Sequence, residues 1–397
     1  MSVFIDKQFS GLPHHAILED GMIKWSATTV DCNYVWGKPG ESNSLEPVLK
    51  LFDVECPKLI PESVKKSFEE CGYQGEVPWS YVISRETFRD IFSKFQQKLE
   101  EYIEVIDDSD YPPFFCETNI LFSLLKGSFI DGATCKKILE KNDSHALKNI
   151  VSMSTSERLP TPLYDRVSTK TGRLTIKSGP QILTLNKEYR RIFRPSIPEN
   201  KLYEVDFVSL EPRVALNIAN KKSASDVYTS FATDCGLDIS REVAKLAVLC
   251  SLYGAGKYKL ESVLRKDGSN LPAARLLSKV KEYFGINDLS NGLMHKAKSG
   301  QILNYFGRPI QVDDTRKSTL LNNFLQSTAA DIALLGFLDF CRNLSGLITP
   351  TFIIHDALVF EASPEHLGQV SEYVNKGFDI PKMGNFPLKI TEFSCNE

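Results

Sequence analysis

The chain has 397 residues, 42% hydrophobic, and its 23 Gly and 20 Pro follow no period; it should hold two or three domains and is neither collagen-like nor disordered. No apolar run approaches the ~20 residues of a membrane span, residues 1–7 lack the pattern of a secretory signal, and nine cysteines without C-x-x-C pairs read as reduced thiols in an intracellular protein. Net charge is -3, but residues 1–150 hold 16 basic against 24 acidic side chains, whereas 151–397 hold 31 against 26. Nine basic side chains fall in 166–201 and nine in 241–281, two concentrations that suit either phosphate-binding surfaces or ordinary solvated charge.

Residues 1–84 read as mixed and loop-rich, with a turn at Gly37-Lys38-Pro39-Gly40. Phe88, Ile91, Phe92, Phe95, Leu99 and Ile103 recur at helical spacing and predict a helix over 87–105. Residues 107–113 break the chain, and helices are expected at about 116–126 and 132–140. A short strand is predicted over 202–208, mostly helix over 225–303, and a long helix over 317–342. Residues 351–362 predict a hairpin of β-forming residues.

Asp206 lies near the end of the predicted strand, just before the turn into a helix at Ser209-Leu210-Glu211-Pro212-Arg213. A carboxylate there either caps the turn or reaches a metal ion from a rigid backbone. His355-Asp356 interrupts two apolar arms, so Asp356 either caps a hairpin tip or, if buried, needs a metal or cation as partner. Arg241, Lys245, Leu249 and Tyr253 are spaced by four and share one helix face. That face reads either as a basic edge beside a core stripe or as a seat for a ligand with phosphates at one end and a base at the other. Gly254-Ala255-Gly256 would end the helix.

Taken together, Asp206-x-x-Ser209-x-Glu211-Pro212-Arg213 resembles motif A of the family A DNA polymerases. Arg241-x-x-x-Lys245-x-x-x-Leu249-x-x-x-Tyr253-Gly254 resembles their motif B, and His355-Asp356-Ala357-Leu358-Val359-Phe360-Glu361 their motif C. Thr171-Gly172-Arg173-Leu174 and Asn322-x-x-x-Gln326-Ser327-Thr328-Ala329-Ala330-Asp331 resemble two flanking signatures. The five stand in the family's order and cover about residues 160–397.

The resemblance implies an α/β, right-hand polymerase fold with an antiparallel palm sheet, helical fingers and a short helical thumb. Residues 161–215 and 305–397 would form the palm, 216–304 the fingers and 86–160 the thumb, with 1–85 of unknown role. It further implies a template-directed DNA polymerase with two Mg²⁺ ions held by Asp206, Asp356 and the backbone carbonyl of Phe207. Arg241, Lys245, Leu249, Tyr253, Tyr228 and Glu211 would bind the dNTP, Glu211 crowding the sugar 2′ side. Arg173, Arg190, Arg191, Asn322, Gln326 and His355 would meet primer–template DNA. The acidic amino-terminal region suits contact with a replication protein, and no membrane partner is expected; a cytoplasmic or nucleoid location in a host, or a phage or plasmid origin, fits this reading. Family members often carry a 3′–5′ exonuclease marked by Asp-x-Glu near its start; Asp6-Lys7-Gln8 does not fit that pattern, so no proofreading is expected. Ala357, Leu249, Tyr228 and Ser318 depart from the family pattern, Ala357 by replacing a second acidic residue. These departures leave open a degenerate polymerase acting as a DNA-binding subunit. A single-subunit RNA polymerase is the other alternative, and Glu211 opposes it.

Overall fold

The computed structural model describes residues 111–393 except 222–223, 255–256, 267–270 and 355; before residue 111 it describes 2–5, 15–19, 22–26, 28, 34–36, 49, 52–55, 61–72 and scattered positions between 83 and 101. The chain divides into two compact units, Met1–Asn119 with Phe306–Pro309, and Ile120–Tyr305 with Ile310–Glu397.

In the first unit, β1 (Ser2–Ile5), β2 (His15–Glu19), β3 (Met22–Ser26) and β4 (Tyr34–Trp36) form a sheet in the order β3-β2-β1-β4, with β4 parallel to β1. The loop-rich expectation for 1–84 thus gives way to a sheet. Its strands are too short for alternation to stand out, although Asp20-Gly21 between β2 and β3 is a dipeptide that hairpins favour. Helix α1 (Glu62–Glu70) follows. The helix expected over 87–105 lies largely outside the described residues, and the described positions within that span are helical. Helix α2 (Tyr111–Leu124), which crosses the unit boundary, begins ahead of the expected 116, because Pro112 and Pro113 occupy its first turn, where a missing N–H is tolerated.

The second unit opens with β5 (Ser128–Ile130), α3 (Gly132–Leu139), α4 (His145–Met153), β6 (Arg158–Leu159), β7 (Leu163–Asp165), β8 (Thr175–Ser178) and β9 (Phe193–Arg194). Strand β10 (Lys201–Phe207) leads into α5 (Leu210–Ile218). A helical block follows: α6 (Val227–Asp234), α7 (Arg241–Tyr253), α8 (Lys257–Lys266), α9 (Ala273–Tyr283) and α10 (Ile286–Lys296). The short strands β11 (Gln301–Leu303) and β12 (Pro309–Gln311), the latter crossing the unit boundary, precede α11 (Lys317–Asn343). The chain closes with β13 (Ile348–Ile354), β14 (Ala357–Ala362), α12 (Leu367–Lys376), β15 (Phe378–Ile380), β16 (Gly384–Phe386) and β17 (Leu388–Glu392).

The sheet that matters most runs β13-β14-β10-β17, every neighbour antiparallel. All six residues of β14 are buried. Its Glu361 is 3% exposed and accepts hydrogen bonds from Ser196 N (2.6 Å), Ser196 Oγ (3.0 Å), Ile197 N (3.1 Å) and Asn200 Nδ2 (2.8 Å). A buried charge is tolerated when its lone pairs are satisfied in this way. Helix α11 is long and apolar enough to cross a membrane, yet it is mostly buried as the core helix of this unit. It packs close to β10: a Cβ on Gly336 would fall 2.5 Å from the Phe207 ring, so only glycine admits this approach.

Strand β13 is an edge, and its outward backbone groups need partners. Lys126 N donates to Pro350 O (2.9 Å) and Gly127 N to Thr351 O (3.2 Å). The Tyr164 hydroxyl accepts from Ile353 N (2.8 Å) and donates to Ile353 O (2.7 Å). One phenol therefore closes the ladder three residues before Asp356. Tyr164→Phe should lower stability by about 1–3 kcal/mol, because both Ile353 groups lose their partner in a buried setting; equilibrium denaturant unfolding measures the loss.

Candidate active site

Strand β10 alternates, burying Val205 and Phe207 and leaving Asp206 partly open on the other face. After Phe207 the chain turns at Ser209, held at φ 54° and ψ 50°, a left-handed conformation uncommon for a residue with a Cβ. Arg213 locks the turn from inside α5: it is 1% exposed, and its Nε donates to Val208 O (2.8 Å) and its Nη2 to Ser225 O (2.7 Å). The turn places Glu211 in the first turn of α5, close after Asp206.

Register then decides the neighbours. Asp206 pairs with Ala357 of β14 on one side and Lys389 of β17 on the other, and directly paired residues share a face. Asp356 is next to Ala357 in the turn between β13 and β14. The two carboxylates therefore meet at one end of the sheet although 150 residues separate them in sequence. Asp356 is exposed, so the burial that its apolar arms suggested does not occur. Burial pushes the Asp206 carboxyl above the usual carboxylate range; Lys389, whose Nζ lies 3.2 Å from Oδ2, opposes that rise, while the charges of Asp356 and Glu204 add to it. The backbone of Phe207 pairs with Leu388 on the same strand edge. His355 lies outside the described residues.

The α7 face forms as expected, from the Ser240 cap to Gly254, whose φ of 69° ends the helix. Arg241 Nε donates to Asp226 Oδ2 (2.6 Å), and its guanidinium lies 5.4 Å from the Tyr228 ring centre. Asp226 also caps α6 through the N–H of Tyr228 and Thr229. Burial works against its charge, but the Arg241 bond and the cap bonds outweigh it and hold its carboxyl below the usual range. Burial pushes the Tyr228 hydroxyl up, against its hydrogen bond with Ser209. Lys245 is exposed and unpaired among the described residues, and Leu249 is half-buried. Tyr253 stands close to Glu211, whose Oε1 lies 3.3 Å from Arg173 Nη2. Burial raises Tyr253 foremost, and the charges of Glu211 and Asp356 raise it further. Asp206, Asp356, Glu211, Arg173 and Tyr253 are thus gathered at one place.

A cleft of about 330 Å³ opens there, lined by Arg173, Leu183, Ala330, Ala333, Phe337 and Asp356 among others. Asn322 and Gln326, about two turns and one turn before Ala330, share a hydrogen bond (2.8 Å) on the same α11 face. The two remaining arginines stand elsewhere. Arg190 Nη1 lies 2.9 Å from Glu204 Oε2, its guanidinium 5.0 Å from the Phe393 ring centre, and its side chain is 11% exposed. Arg191 is exposed in a second cleft of about 500 Å³, with Lys137, Lys141 and Arg194. That cleft includes Phe393, whose N–H donates to Leu202 O; Leu202 is four residues, about 13 Å of strand, from Asp206. Sequence reading missed Lys389 and the Asp226 contact to Arg241. Lysine in a strand near the carboxyl end carries no signal until register sets it opposite Asp206; the Ser225-Asp226 start of α6 was a readable cap signal.

Two carboxylates supply hard oxygen donors, and among the described residues no group of three or more His, Cys, Asp or Glu could hold a metal ion. A donor set this small suits Mg²⁺, which keeps several waters and takes one or two carboxylates plus substrate phosphates.

The family model described as DNA polymerase family A matches residues 125–391. A DNA polymerase of Mycobacterium phage L5 is 25% identical over 260 residues, covering 60% of this chain and 42% of the relative. DNA polymerase I of Geobacillus stearothermophilus is 22% identical over 266 residues, covering 57% and 30%. The chain therefore spans less than half the length of these curated relatives. Among solved structures, the POL domain of Pol1 from M. smegmatis, in complex with DNA primer-template and dNTP, matches 89% of this chain and 82% of that one, with a TM-score of 0.59 at 13% identity. The fold is that of a polymerase POL domain.

A raised carboxyl pKa means that the fold disfavours ionised Asp206. The penalty is present above the folded pKa and vanishes as pH falls below the unfolded value of about 3.9. Without divalent ions, Asp206→Asn should therefore melt at a higher temperature than the wild type at neutral pH, and the gap should close on acidification; thermal melts across pH check it.

Proposed function

The chain belongs to DNA polymerase family A, and on that premise we propose that it is a template-directed DNA polymerase that joins dNTPs to a primer 3′-hydroxyl. The observation that supports this reading most is the meeting of Asp206 and Asp356 at one sheet end beside Glu211, Arg173 and Tyr253. Residues 161–215 and 305–397 serve as palm, 216–304 as fingers and 86–160 as thumb. Asp206, Asp356 and the Phe207 carbonyl hold two Mg²⁺ ions. Bound there, divalent cations supply activation of the primer hydroxyl and neutralisation of the departing pyrophosphate.

The chain's own residues then position the reactants. Lys245, exposed and unpaired among the described residues, neutralises the triphosphate. Arg241 joins it by exchanging Asp226 for phosphate, with Tyr228 stacked against its guanidinium. Leu249 and Tyr253 pack on the nucleotide, and Glu211 stands against the sugar 2′ side, steadied by Arg173 and Tyr253. Arg173, Asn322, Gln326 and His355 follow the primer–template through its minor groove, which tolerates any sequence. Arg191 serves the DNA backbone from the second cleft, while Arg190 stays paired to Glu204. The enzyme works on replicating DNA inside the cell and meets a replication protein through its acidic amino-terminal region. Ala357 favours a second reading, a degenerate polymerase that binds DNA without extending it.

Primer extension separates the two readings. Asp206→Asn and Asp356→Asn should each lower extension on the order of a hundredfold or more, by analogy with loss of other preorganised charge stabilisers, while primer–template affinity changes little. A wild type that binds DNA and extends nothing would favour the second reading.

Sugar choice tests Glu211. Glu211→Ala should raise the ribo- over deoxyribonucleotide ratio of kcat/KM by roughly tenfold or more, because the site loses the group that leaves a 2′-hydroxyl poorly accommodated. Matched single-nucleotide kinetics measure it.

A further inference from the structure

The row of residues across the sheet at Asp206 carries an unexpected charge pattern. Ala357 stands on one side, where the resemblance implies a second acid, and Lys389 on the other. The Lys389 Nζ lies 3.2 Å from Asp206 Oδ2, so it occupies the carboxylate that the proposed function gives to a metal ion. We infer that Lys389 is an intramolecular competitor for divalent cation at Asp206, and that it sets the metal concentration at which this site fills. The inference rests on the reading of Asp206 as a metal ligand.

Three features separate this role from simple strand pairing. The Lys389 side chain is 56% exposed on a flexible stem, so its ammonium can leave Asp206 while the backbone stays in register. Strand β17 is anchored without it, by the ladder to β10, by Val208 N to Pro387 O (2.9 Å) and by Phe393 N to Leu202 O (2.9 Å). The same two strands carry a second ion pair at their far end, Lys201 Nζ to Glu392 Oε2 (3.1 Å), with side chains 52% and 48% exposed. That pair joins the same strands without touching a catalytic carboxylate, and it provides the structural control. With alanine at 357, no second carboxylate shares the row with Asp206, so the ammonium faces less competition than it would in the family's usual pattern.

The test uses the full chain, first without DNA or nucleotide, with Mn²⁺ binding followed by paramagnetic resonance, and then the Mg²⁺ dependence of primer extension. Lys389→Met should tighten Mn²⁺ binding and lower the half-saturating Mg²⁺ by about two- to fivefold, the range expected for losing one partly exposed ion pair. Lys389→Arg should stay near the wild type in both, and Lys201→Met should leave both unchanged. Unaltered or weaker Mn²⁺ binding in Lys389→Met, with an unaltered melting temperature, would overturn the inference; should that variant fold poorly, Lys389→Gln is read in the same way. Asp206→Asn separates the two levels. If it removes Mn²⁺ binding while Lys389→Met changes nothing, only the role of Lys389 fails. If it binds Mn²⁺ as the wild type does, the metal assignment fails, and this inference with it.

Discussion

The register of β10 against β14 is the constraint on which the site depends. Side chains alternate along a strand, so a slip of one residue would turn Asp206 into the core and Phe207 out of it. Three contacts prevent that slip. Phe207 is pressed against α11 through the gap left by Gly336, Arg213 pins the turn that follows the strand, and Glu361 gathers four donors at the far end of β14. The first is close packing and the other two are buried hydrogen bonds. The catalytic geometry is thus fixed by the core behind it.

The two ends of this sheet treat carboxylates in opposite ways. Glu361 is more buried than Asp206, yet every contact around it is a donor, and it serves the fold. Asp206 has one cation beside it and a second carboxylate close enough to oppose its charge. Folding alone would not select the second arrangement. A carboxylate raised by burial and set near a second one, with a single exposed lysine beside it, has the form expected of a functional group more than of a structural one.

Local pattern made much of this legible from sequence. The strand expected over 202–208 is Lys201–Phe207, the hairpin over 351–362 is Ile348–Ile354 with Ala357–Ala362, and the helix over 317–342 is Lys317–Asn343. These segments have strong periodicity, and Asp206, Asp356 and Tyr253 follow from them. What stayed hidden depends on contacts between distant segments. The pairing of Arg190 with Glu204 cannot be read from a run of basic residues, and Lys389 acquires meaning only from a register set 183 residues earlier. The short strands β1 to β4 were hidden for a different reason, since three to five residues give too few alternations to rise above loop composition.

Most of the cations around the site already hold a carboxylate of the same chain. Arg241 pairs with Asp226, Arg173 with Glu211 and Lys389 with Asp206, while Lys245 is unpaired among the described residues. Such pairs are partly exposed and individually weak, so a triphosphate, with several negative charges in one place, can displace them. The paired cations hold their side chains in place in the free protein, and Lys245 is left exposed beside them on the α7 face that carries Arg241. An acidic protein with a net charge of -3 can therefore present a local seat for polyphosphate without exposing an unbalanced positive surface.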